Sequence, residues 1–393
     1  MDGSQARGRL WPLGLATCIS IIALGIVIPV LPFQLRALGA SEAMTPLIFT
    51  TYSAMAFITA PLWGRLSDRI GRRPVLILAI SASVLSYAWL GLAEQVWQVF
   101  AARAFSGATA GWLATSQAYV ADVTGKEARA KGMAMLGIAF GVGFTIGPFT
   151  GAMLVGHGGD FHLPAFIAAG MAALSFLVTI ALIREPARHE VDADAPRLRL
   201  EVLREPLLAR LLLLYFAFAF VFTGMEGVFA IWVERILSLG AREVGMYLGF
   251  TGVVTVLVQG GIGRLSARLG EVKLMVIGAF ALAAGLLSLS LIDRAELVYI
   301  PMALVAIGAG LHNPAAQSLI SRSAPDHLRG GVMGSAQALA SLARIAGPAL
   351  AGFAFAGVAP NAPLWIGAAL LIPVLLLAFA QRRRVAELIA AGR

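Results

Sequence analysis

The sequence has few charged residues and a single cysteine. Charged side chains make up only 13% of its 393 residues, whereas hydrophobic residues make up 59%. A typical soluble domain has about 25% charged residues, so this composition excludes an ordinary soluble fold. Because Cys18 is the only cysteine, the chain can form neither an intramolecular disulfide nor a metal site built from several cysteines.

The sequence also lacks the motifs of nucleotide and metal chemistry. It contains no glycine-rich phosphate loop followed by a lysine, and no cluster of metal-ligating residues. We therefore expect no cofactor, no metal ion and no enzymatic activity.

Long apolar runs occupy most of the chain. Many contain 18 or more nearly uncharged residues, which is enough for a helix to cross about 30 Å of hydrocarbon. The runs are continuous rather than alternating in polarity, so they predict helices and not the strands of a barrel. The sequence therefore predicts an all-α membrane protein with twelve spans. They are residues 11–33, 44–64, 75–93, 97–120, 131–155, 162–183, 211–234, 242–263, 272–292, 296–320, 331–357 and 363–381.

An eight-residue phrase occurs twice, about half a chain length apart. The segments Gly64–Gly71 and Gly263–Gly270 differ at only two positions and begin 199 residues apart. The pair Gly147-Pro148 recurs as Gly347-Pro348, 200 residues further on. Elements that recur in the same order indicate two parallel repeats. The predicted segments are an N-terminal six-helix half (1–183), a cytoplasmic linker (184–210) and a C-terminal six-helix half (211–393).

The basic residues predict how the chain lies in the membrane. With a cytoplasmic N-terminus, 24 of the 30 Lys and Arg residues fall on the cytoplasmic side and four on the opposite side. We therefore expect a monomer with both termini in the cytoplasm, in a plasma membrane such as a bacterial inner membrane. The net charge of +9 then reflects topology and contact with anionic lipid, and no nucleic-acid partner is expected.

The loop after the second span carries a specific motif. Residues Gly64 to Pro74 read GRLSDRIGRRP, which closely resembles the loop signature G-x-L-x-D-R-x-G-R-[RK] of the major facilitator superfamily. The resemblance covers essentially the whole chain and extends to the twelve-span drug:proton antiporters, tetracycline exporters included. It implies the major facilitator fold and secondary transport of a small molecule.

The fifth span contains a second motif. Gly143, Gly147, Pro148 and Gly151 resemble the G-x-x-x-G-P-x-x-G signature of the superfamily's antiporters. Three glycines four residues apart lie on one helix face and let a neighbouring helix approach closely. Simple close packing of small residues explains the spacing equally well, and only the resemblance turns it into a hint of antiport.

The resemblance gives the loop motif a role in gating. Its charges would pair across the cytoplasmic ends of the two halves in one conformation and separate in the other. Gly64 and Gly71 would let the loop turn tightly. The alternative is that the charges only set the topology, although the second copy has Ala267 where the first has Asp68. The predicted gating residues are Gly64, Asp68, Arg69, Gly71, Arg72, Arg73, Asp122 and Arg129.

Glu226 is the only carboxylate well inside a predicted span, about 15 residues into the seventh. A charged side chain at such depth costs roughly 2.5–3.5 kcal/mol unless it is paired or hydrated, so it marks a functional site. We predict that Glu226 carries a coupled proton or binds a cationic substrate. The alternative is a permanent ion pair with Arg344, which lies at similar depth in the eleventh span.

Two further ionisable residues lie within predicted spans. Arg103, in the fourth span, can reach the outer surface, hold a neighbouring helix or bind an anionic substrate, and the resemblance favours a positional role. His312 lies beside Asn313 and Pro314 in the tenth span. Histidine is a common proton carrier, so His312 is a second coupling candidate, with a hydrogen-bonded packing role as the alternative.

These features predict a secondary transporter that exports a small amphipathic compound in exchange for protons, by alternating access. Pockets for such compounds are mostly apolar with a few convergent polar groups. The candidate cavity residues, taken from spans near the predicted centre, are Tyr52, Arg103, Phe140, Phe144, Phe222, Trp232, Asn313, Gln337 and Arg344.

Two serines depart from the pattern of the tetracycline exporters. Ser20 and Ser86 stand where those exporters carry acids in the first and third spans. Glu226 is then the remaining candidate acid. An uncoupled facilitator, or a transporter of lysolipids or metabolites, stays open as an alternative. A non-transporting membrane sensor or assembly factor is also open, but it would be expected to have an apolar centre.

Overall fold

The computed structural model describes residues 3–124, 126–155, 161–186, 205–324, 329–373 and 375–376, with side chains described outside 3–9, 126–131 and 329–330. Within these ranges the chain is helical and has no strand, and one short 3-10 helix covers Ala295–Val298. The α-helices are α1 Gly3–Val27, α2 Leu31–Ala37, α3 Leu47–Ile70, α4 Arg72–Gly91, α5 Val96–Ala108, α6 Trp112–Val123, α7 Lys126–Val155, α8 His162–Leu182, α9 Pro206–Leu237, α10 Ala241–Leu269, α11 Glu271–Leu289, α12 Tyr299–Ser323, α13 Arg329–Gly357 and α14 Ala362–Pro373.

Ten helical segments in the described ranges are long and apolar enough to cross a membrane. The first combines part of α1 with α2, over Leu10–Ala37. The two remaining predicted spans are helical as well: α5 and α6 together cover the fourth, and α14 begins the twelfth. The predicted all-α membrane architecture is therefore confirmed.

Two of the predicted spans are broken helices. In the first span α1 ends at Val27, because Pro29 cannot donate to the helix, and Pro32 opens α2. In the fourth span the helix is interrupted between α5 and α6. There the indole nitrogen of Trp63 donates a hydrogen bond of 2.7 Å to the carbonyl of Ala108, which the helix end leaves without an intrahelical partner.

The chain divides into two compact units. Unit 1 comprises Met1–Ala193 and Ser238–Gly252, and unit 2 comprises Asp194–Leu237 and Val253–Arg393. The division therefore falls within α10, whose first residues cluster with unit 1. The boundaries predicted from the sequence, at 183 and 211, remain predictions.

In unit 1 the closest helix contact joins α1 to α7. A methyl group placed on Gly147 would lie 2.6 Å from the Cα of Gly25, which is closer than real side chains approach. Only glycine at both positions allows the two backbones to come this near. Such close approach matters in lipid, where helices associate through van der Waals packing and not through the hydrophobic effect.

Unit 2 repeats this contact between α9 and α13. A methyl group on Gly227 would lie 2.6 Å from the Cβ of Pro348, and one on Gly347 would lie 2.6 Å from the Thr223 hydroxyl. That hydroxyl also donates to the carbonyl of Ala343 at 3.0 Å. The Gly-Pro pair that recurs in the sequence thus packs in each unit against the first long helix of the corresponding predicted half.

Candidate functional site

The predicted gating loop is almost entirely helical. α3 continues past Gly64 to Ile70 and α4 begins at Arg72, so a single residue, Gly71, separates the two helices. Gly71 has a φ of +107°, a conformation that glycine adopts without steric cost. The expectation that Gly64 helps to form a tight turn is wrong. The apolar run ends near Gly64, but the helix continues with one more polar turn.

Arg72 joins the charged residues of the predicted gating motif. Its Nη1 donates to Asp68 Oδ1 at 2.6 Å and to the Ser67 hydroxyl at 2.9 Å. Its Nε donates to Asp122 Oδ2, at the end of α6, at 2.7 Å. A single guanidinium, partly buried, therefore joins α3, α4 and α6 in unit 1. Asp68 is the more exposed of its two acids, with 42% of its side chain exposed against 24% for Asp122.

Glu185 completes this cluster, and the sequence-based prediction missed it. Its two carboxylate oxygens accept hydrogen bonds from the backbone N–H groups of Arg72 and Arg73, at 2.6 and 2.7 Å. The α4 helix has no acidic residue in its first turn and no side-chain cap of its own. A carboxylate from beyond α8 therefore satisfies the free donors of α4 and the positive end of its dipole. Its position after a long apolar run gave no sign of this contact.

The other predicted gating residues are placed less centrally. The side chain of Arg73 donates to the carbonyl of Ile180, near the end of α8, at 2.9 Å. Arg69 is exposed in the last turn of α3. Arg129 lies in α7, but its side chain falls outside the part of the chain with described side chains.

Unit 2 contains a second version of the motif. α10 ends at Leu269, Gly270 has a φ of +79°, and α11 begins at Glu271. Glu271 Oε1 accepts hydrogen bonds from Arg322 Nη1 at 2.8 Å and from the Ser318 hydroxyl at 3.3 Å. The junction between two helices at a left-handed glycine is thus present in both units.

The charges of this second version are reversed. Glu271 follows Arg72 by 199 residues, and Arg322 follows Asp122 by 200. The base of unit 1 is therefore an acid in unit 2, and its acidic partner is a base. Aligning the two halves on their shared phrase would have revealed the exchange, but sequence reasoning compared only the phrase itself.

The glycines of the predicted antiporter motif all face α1. A methyl group on Gly143 would lie 2.6 Å from the side chain of Ile21, and one on Gly151 would collide with the carbonyl oxygen of Ile26. Gly147 meets the same helix between these two points. The motif is thus a continuous close contact within unit 1, as the spacing predicted. Pro148, the fourth member, lies inside α7 and so removes one helical hydrogen bond.

A second face of α7 contacts the beginning of α10. A methyl group on Gly245 would lie 2.5 Å from the Pro148 carbonyl oxygen, and one on Gly252 would lie 2.9 Å from the Cα of Thr145. α7 is therefore packed through small residues on two faces. The sequence-based prediction did not include the α10 glycines. Gly245, Gly249 and Gly252 are four and three residues apart, and this spacing could have indicated a second packed helix face.

Glu226 lies in α9 beside the contact with α13. It is half-buried and stands between Gly224 and Gly227, both of which pack against α13. The guanidinium of Arg344 donates instead to the Ser341 hydroxyl at 3.2 Å, and the described side chains of Glu226 and Arg344 form no ion pair within 4 Å. The permanent ion pair is therefore not present in this structure, although Arg344 still interacts electrostatically with the Glu226 carboxyl at a longer distance.

His312 is packed inside unit 2. Its ring stacks on Phe218, with ring centres 3.8 Å apart and an angle of 5° between the planes. Its Nδ1 lies 3.0 Å from the carbonyl oxygen of Met275, so that nitrogen carries the proton and donates it. Nε2 is buried and has no hydrogen-bond partner in the described structure. This geometry matches the packing role; a role in proton coupling remains a prediction.

Arg103 and Tyr52 lie together in unit 1. The guanidinium carbon of Arg103 is 4.4 Å from the centre of the Tyr52 ring, in a cation–π contact between α5 and α3. Only 3% of Arg103 is exposed. The side chain therefore does not reach the outer surface, which was one of the expectations from the sequence.

The remaining cavity candidates are distributed over both units. In unit 1, Phe140 and Phe144 stack with ring centres 4.8 Å apart. In unit 2, Trp232 is almost fully buried and donates to Asn361 Oδ1 at 2.7 Å, which is a packing arrangement. Phe222 and Asn313 are half-buried and Gln337 is exposed, all three in unit 2.

Comparisons with known proteins decide the family. The model of the Major Facilitator Superfamily matches residues 13–348 and again residues 227–392. The chain belongs to this superfamily. It is 31% identical over 371 residues to the class C tetracycline resistance protein of Escherichia coli, covering 91% of this chain and 93% of that protein.

Solved structures show the same major facilitator fold. The crystal structure of the human organic anion transporter MFSD10 is 23% identical, with a TM-score of 0.72, and the match covers 96% of this chain and all of that chain. A bacterial homologue of the human lysosomal transporter Spinster, in an inward-facing and occupied conformation, is 16% identical with a TM-score of 0.79, over 95% and 96% of the two chains. The predicted fold and family are confirmed.

Ser20 and Ser86, the two serines expected to differ from the acids of the tetracycline exporters, both form hydrogen bonds to neighbouring helices. The Ser20 hydroxyl lies 2.8 Å from that of Ser175, which in turn donates to the carbonyl of Ala16. The Ser86 hydroxyl donates to the carbonyl of Ala102 at 2.9 Å. Both serines join neighbouring helices of unit 1.

Among the described residues, no group of three or more His, Cys, Asp or Glu side chains is placed to hold a metal ion.

Proposed function

We propose that this membrane transporter exports a small amphipathic compound in exchange for protons. The family makes it a Major Facilitator Superfamily transporter of small molecules. Relatives that include a tetracycline resistance protein support export of a drug-like compound. The exchange with protons, the class of substrate and the outward direction of transport are our proposal.

The observation that carries the proposal is the unpaired carboxyl of Glu226. It is the one carboxyl in the described part of the chain that lies far from both ends of its helix within an apolar span, and it has no ion-pair partner within 4 Å. A carboxyl held by a permanent ion pair could not release and rebind a proton in each cycle. An unpaired carboxyl of this kind can do so, and in a membrane such a residue is a functional site by default.

The proposed mechanism is alternating access of the two predicted halves, 1–183 and 211–393. Binding of a proton or of substrate changes the relative free energies of two conformations, each of which opens the site to one side of the membrane. The charges around Arg72 set the resting balance between these conformations. Energy comes from the proton gradient alone.

Flux in proteoliposomes tests this proposal. The purified protein is reconstituted and offered a panel of amphipathic cations, zwitterions and acids, with and without an imposed pH gradient. The proposal expects at least one compound to accumulate against its gradient only when the pH gradient is present, and to move protons in the opposite direction. Equal flux with and without the gradient would favour an uncoupled facilitator.

An uncoupled facilitator is the second candidate, because of Ser20 and Ser86. Both replace the acids of the tetracycline exporters with hydroxyls that only bridge helices. A transporter of this type would bind its substrate at the same site, but Glu226 would then serve as a ligand of the substrate and not as a proton carrier.

The membrane setting of the proposal follows from the sequence. The protein is a multi-pass membrane protein, and we propose a bacterial inner membrane, cytoplasmic termini and a monomeric state. Cysteines placed at positions 240 and 294, both exposed, should react with a reagent that acts only from outside, and cysteines at the exposed positions 70 and 267 should not. The reverse pattern would contradict the topology inferred from the basic residues.

A further inference from the structure

Arg103 is a buried cation without a counterion in the described structure. Its Nε and Nη1 atoms are both buried and have no hydrogen-bond acceptor among the described residues. No described carboxylate lies within 4 Å of it. A buried charged donor that lacks an acceptor costs free energy, so folds rarely leave two of them on one side chain.

A comparison with Arg36 shows what a structural arginine does in this protein. Arg36 also lies in unit 1, in α2. Its Nη1 donates to the carbonyl of Ala40 at 2.9 Å, and its Nη2 lies 3.9 Å from Glu42. Among the described residues Arg103 has neither a carbonyl nor a carboxylate partner of this kind, and the Tyr52 ring, which it contacts, does not accept from its buried Nε and Nη1.

The neighbouring helices hold Arg103 in a fixed position. Gly107, one turn further along α5, packs so tightly on α3 that a side chain there would collide with the Tyr52 carbonyl oxygen. On the other side, the Ser86 hydroxyl fixes α4 to the carbonyl of Ala102, next to Arg103. The guanidinium thus lies between α3 and α4 on a rigid support, which lowers the cost of ordering it around a ligand.

The site has a chemical preference, and its two aromatic neighbours differ in burial. Arginine offers only donors, so its partner must supply acceptors, and a buried positive charge favours an anion. Tyr52 covers one face of the guanidinium and is itself only half-buried. Tyr87, which also interacts electrostatically with Arg103, is only 5% exposed. Since Tyr52 is the more exposed of the two, we infer that a ligand reaches Arg103 on the Tyr52 side.

We propose that Arg103, with Tyr52, binds the anionic group of the transported compound, so that the substrate class is a small amphipathic acid such as an aromatic carboxylate. The inference rests on the proposed function, since it names the substrate of that same transport site. Tyr52 provides a face for an apolar ring, and the two free donors of Arg103 bind the oxygens of the carboxylate.

The test compares a carboxylic acid with its neutral amide. The binding of 2-naphthoate and of 2-naphthamide is measured by calorimetry on the full-length protein in nanodiscs of phosphatidylcholine. Wild type is expected to bind the acid at least about tenfold more tightly than the amide, the ratio that corresponds to a hydrogen bond with a charged group. In Arg103→Met the two compounds should bind almost equally.

Two matched variants separate binding from packing. Arg103→Lys keeps the charge and should retain a reduced preference for the acid, even if it alters packing between α3 and α5. Arg36→Gln removes the same charge from the same unit at a paired site, and its preference for the acid should equal that of wild type. A preference that depends only on net charge would be lowered equally in Arg36→Gln and Arg103→Met, and this result would overturn the proposal.

Nanodiscs with phosphatidylglycerol distinguish a substrate carboxylate from a lipid phosphate. Weaker naphthoate binding in these discs than in neutral discs, in wild type but not in Arg103→Met, would show that an anionic headgroup competes for the same site. Equal binding of the acid and the amide by wild type in both lipids would overturn the proposal. A preference for the acid without proton-driven flux would leave this site intact and contradict only the proposed export.

Discussion

Glu271 accepts a hydrogen bond of 2.8 Å from Arg322, at the two positions of unit 2 that correspond to Arg72 and Asp122 in unit 1. The two ion pairs join the same helices of each repeat but carry opposite charges. An ion pair is therefore present at this place in both units, with the acid and the base exchanged. In each unit the contact lies beside the glycine of positive φ that separates the two helices.

The reversed pair predicts different responses to charge exchange in the two units. Glu271→Arg alone would place two cations together and lower the melting temperature, whereas Glu271→Arg with Arg322→Asp should largely restore it. The recovered coupling energy should be at most about 1 kcal/mol, because Arg322 is 48% exposed. Restoration remains incomplete because a base at the start of α11 opposes the helix dipole.

The same exchange in unit 1 serves as the control. Arg72→Glu with Asp122→Arg should not restore stability, because the new carboxylate at position 72 would face Asp68 and the carboxylate of Glu185. The measurement is thermal unfolding of both double variants and of each single variant. Equal rescue in the two units would contradict the assigned contacts.

Asp68→Asn should leave the protein folded and reduce transport strongly. Arg72 keeps its bonds to Asp122 and Ser67 in this variant, so unit 1 remains intact. The lost charge instead shifts the balance between the two conformations, and a shift of about 1.4 kcal/mol changes their ratio tenfold. Substrate flux and the melting temperature are measured together.

Ala267→Asn is the matched change in the second copy. Because unit 2 has no carboxylate at this position, the variant should transport nearly as well as wild type. If Asp68→Asn is present in the membrane at normal levels and its substrate flux is unchanged, the motif does not act in gating.

Glu185→Ala should lower the melting temperature by removing the cap of α4. The loss of an N-terminal cap costs about 0.5–2 kcal/mol, and here two backbone donors lose their acceptor together. Glu185→Gln keeps an oxygen acceptor but loses the charge and should fall between wild type and Glu185→Ala. Glu94→Ala, which removes an exposed carboxylate from the same unit, should melt like wild type.

Gly147→Ala should destabilise the protein, while Gly137→Ala in the same helix should not. The added methyl group would lie 2.6 Å from the Cα of Gly25, and overpacking of this kind typically costs about 1–3 kcal/mol. Gly137 has no atom within 4 Å of such a methyl group, so alanine there gains helix propensity without a collision. Thermal unfolding of the two variants side by side tests the contact. Similar melting temperatures in the two variants would show that α1 and α7 can move apart without a loss of stability.

The sequence predicted the helices and the family because both depend on long or local patterns. An apolar run of about twenty residues has few structures open to it in lipid. The phrase around Asp68 and the spacing of Gly143, Gly147 and Gly151 are local as well. The spacing alone was enough to predict the face of α7 that packs on another helix.

The sequence did not predict contacts between distant segments. Glu185 reaches α4 from 113 residues away, and nothing near it in the chain marks it as a cap. Gly64 was expected in a turn because the apolar run stops there, but a helix need not end where its apolar residues do. The fate of Glu226 was left between two alternatives, and the side-chain geometry of Arg344 showed that the ion pair is not formed.

The most direct test of the proposed function is proton exchange by Glu226→Gln in proteoliposomes. The amide preserves the shape of the side chain but cannot carry a proton. The variant should therefore bind substrate and exchange it downhill, and should lose proton movement and uphill transport. If it folds poorly and Arg344→Gln rescues it, an ion pair formed in another conformation is the correct account. Uphill transport driven by the pH gradient at the wild-type rate in Glu226→Gln would contradict the central claim and make His312 the next candidate.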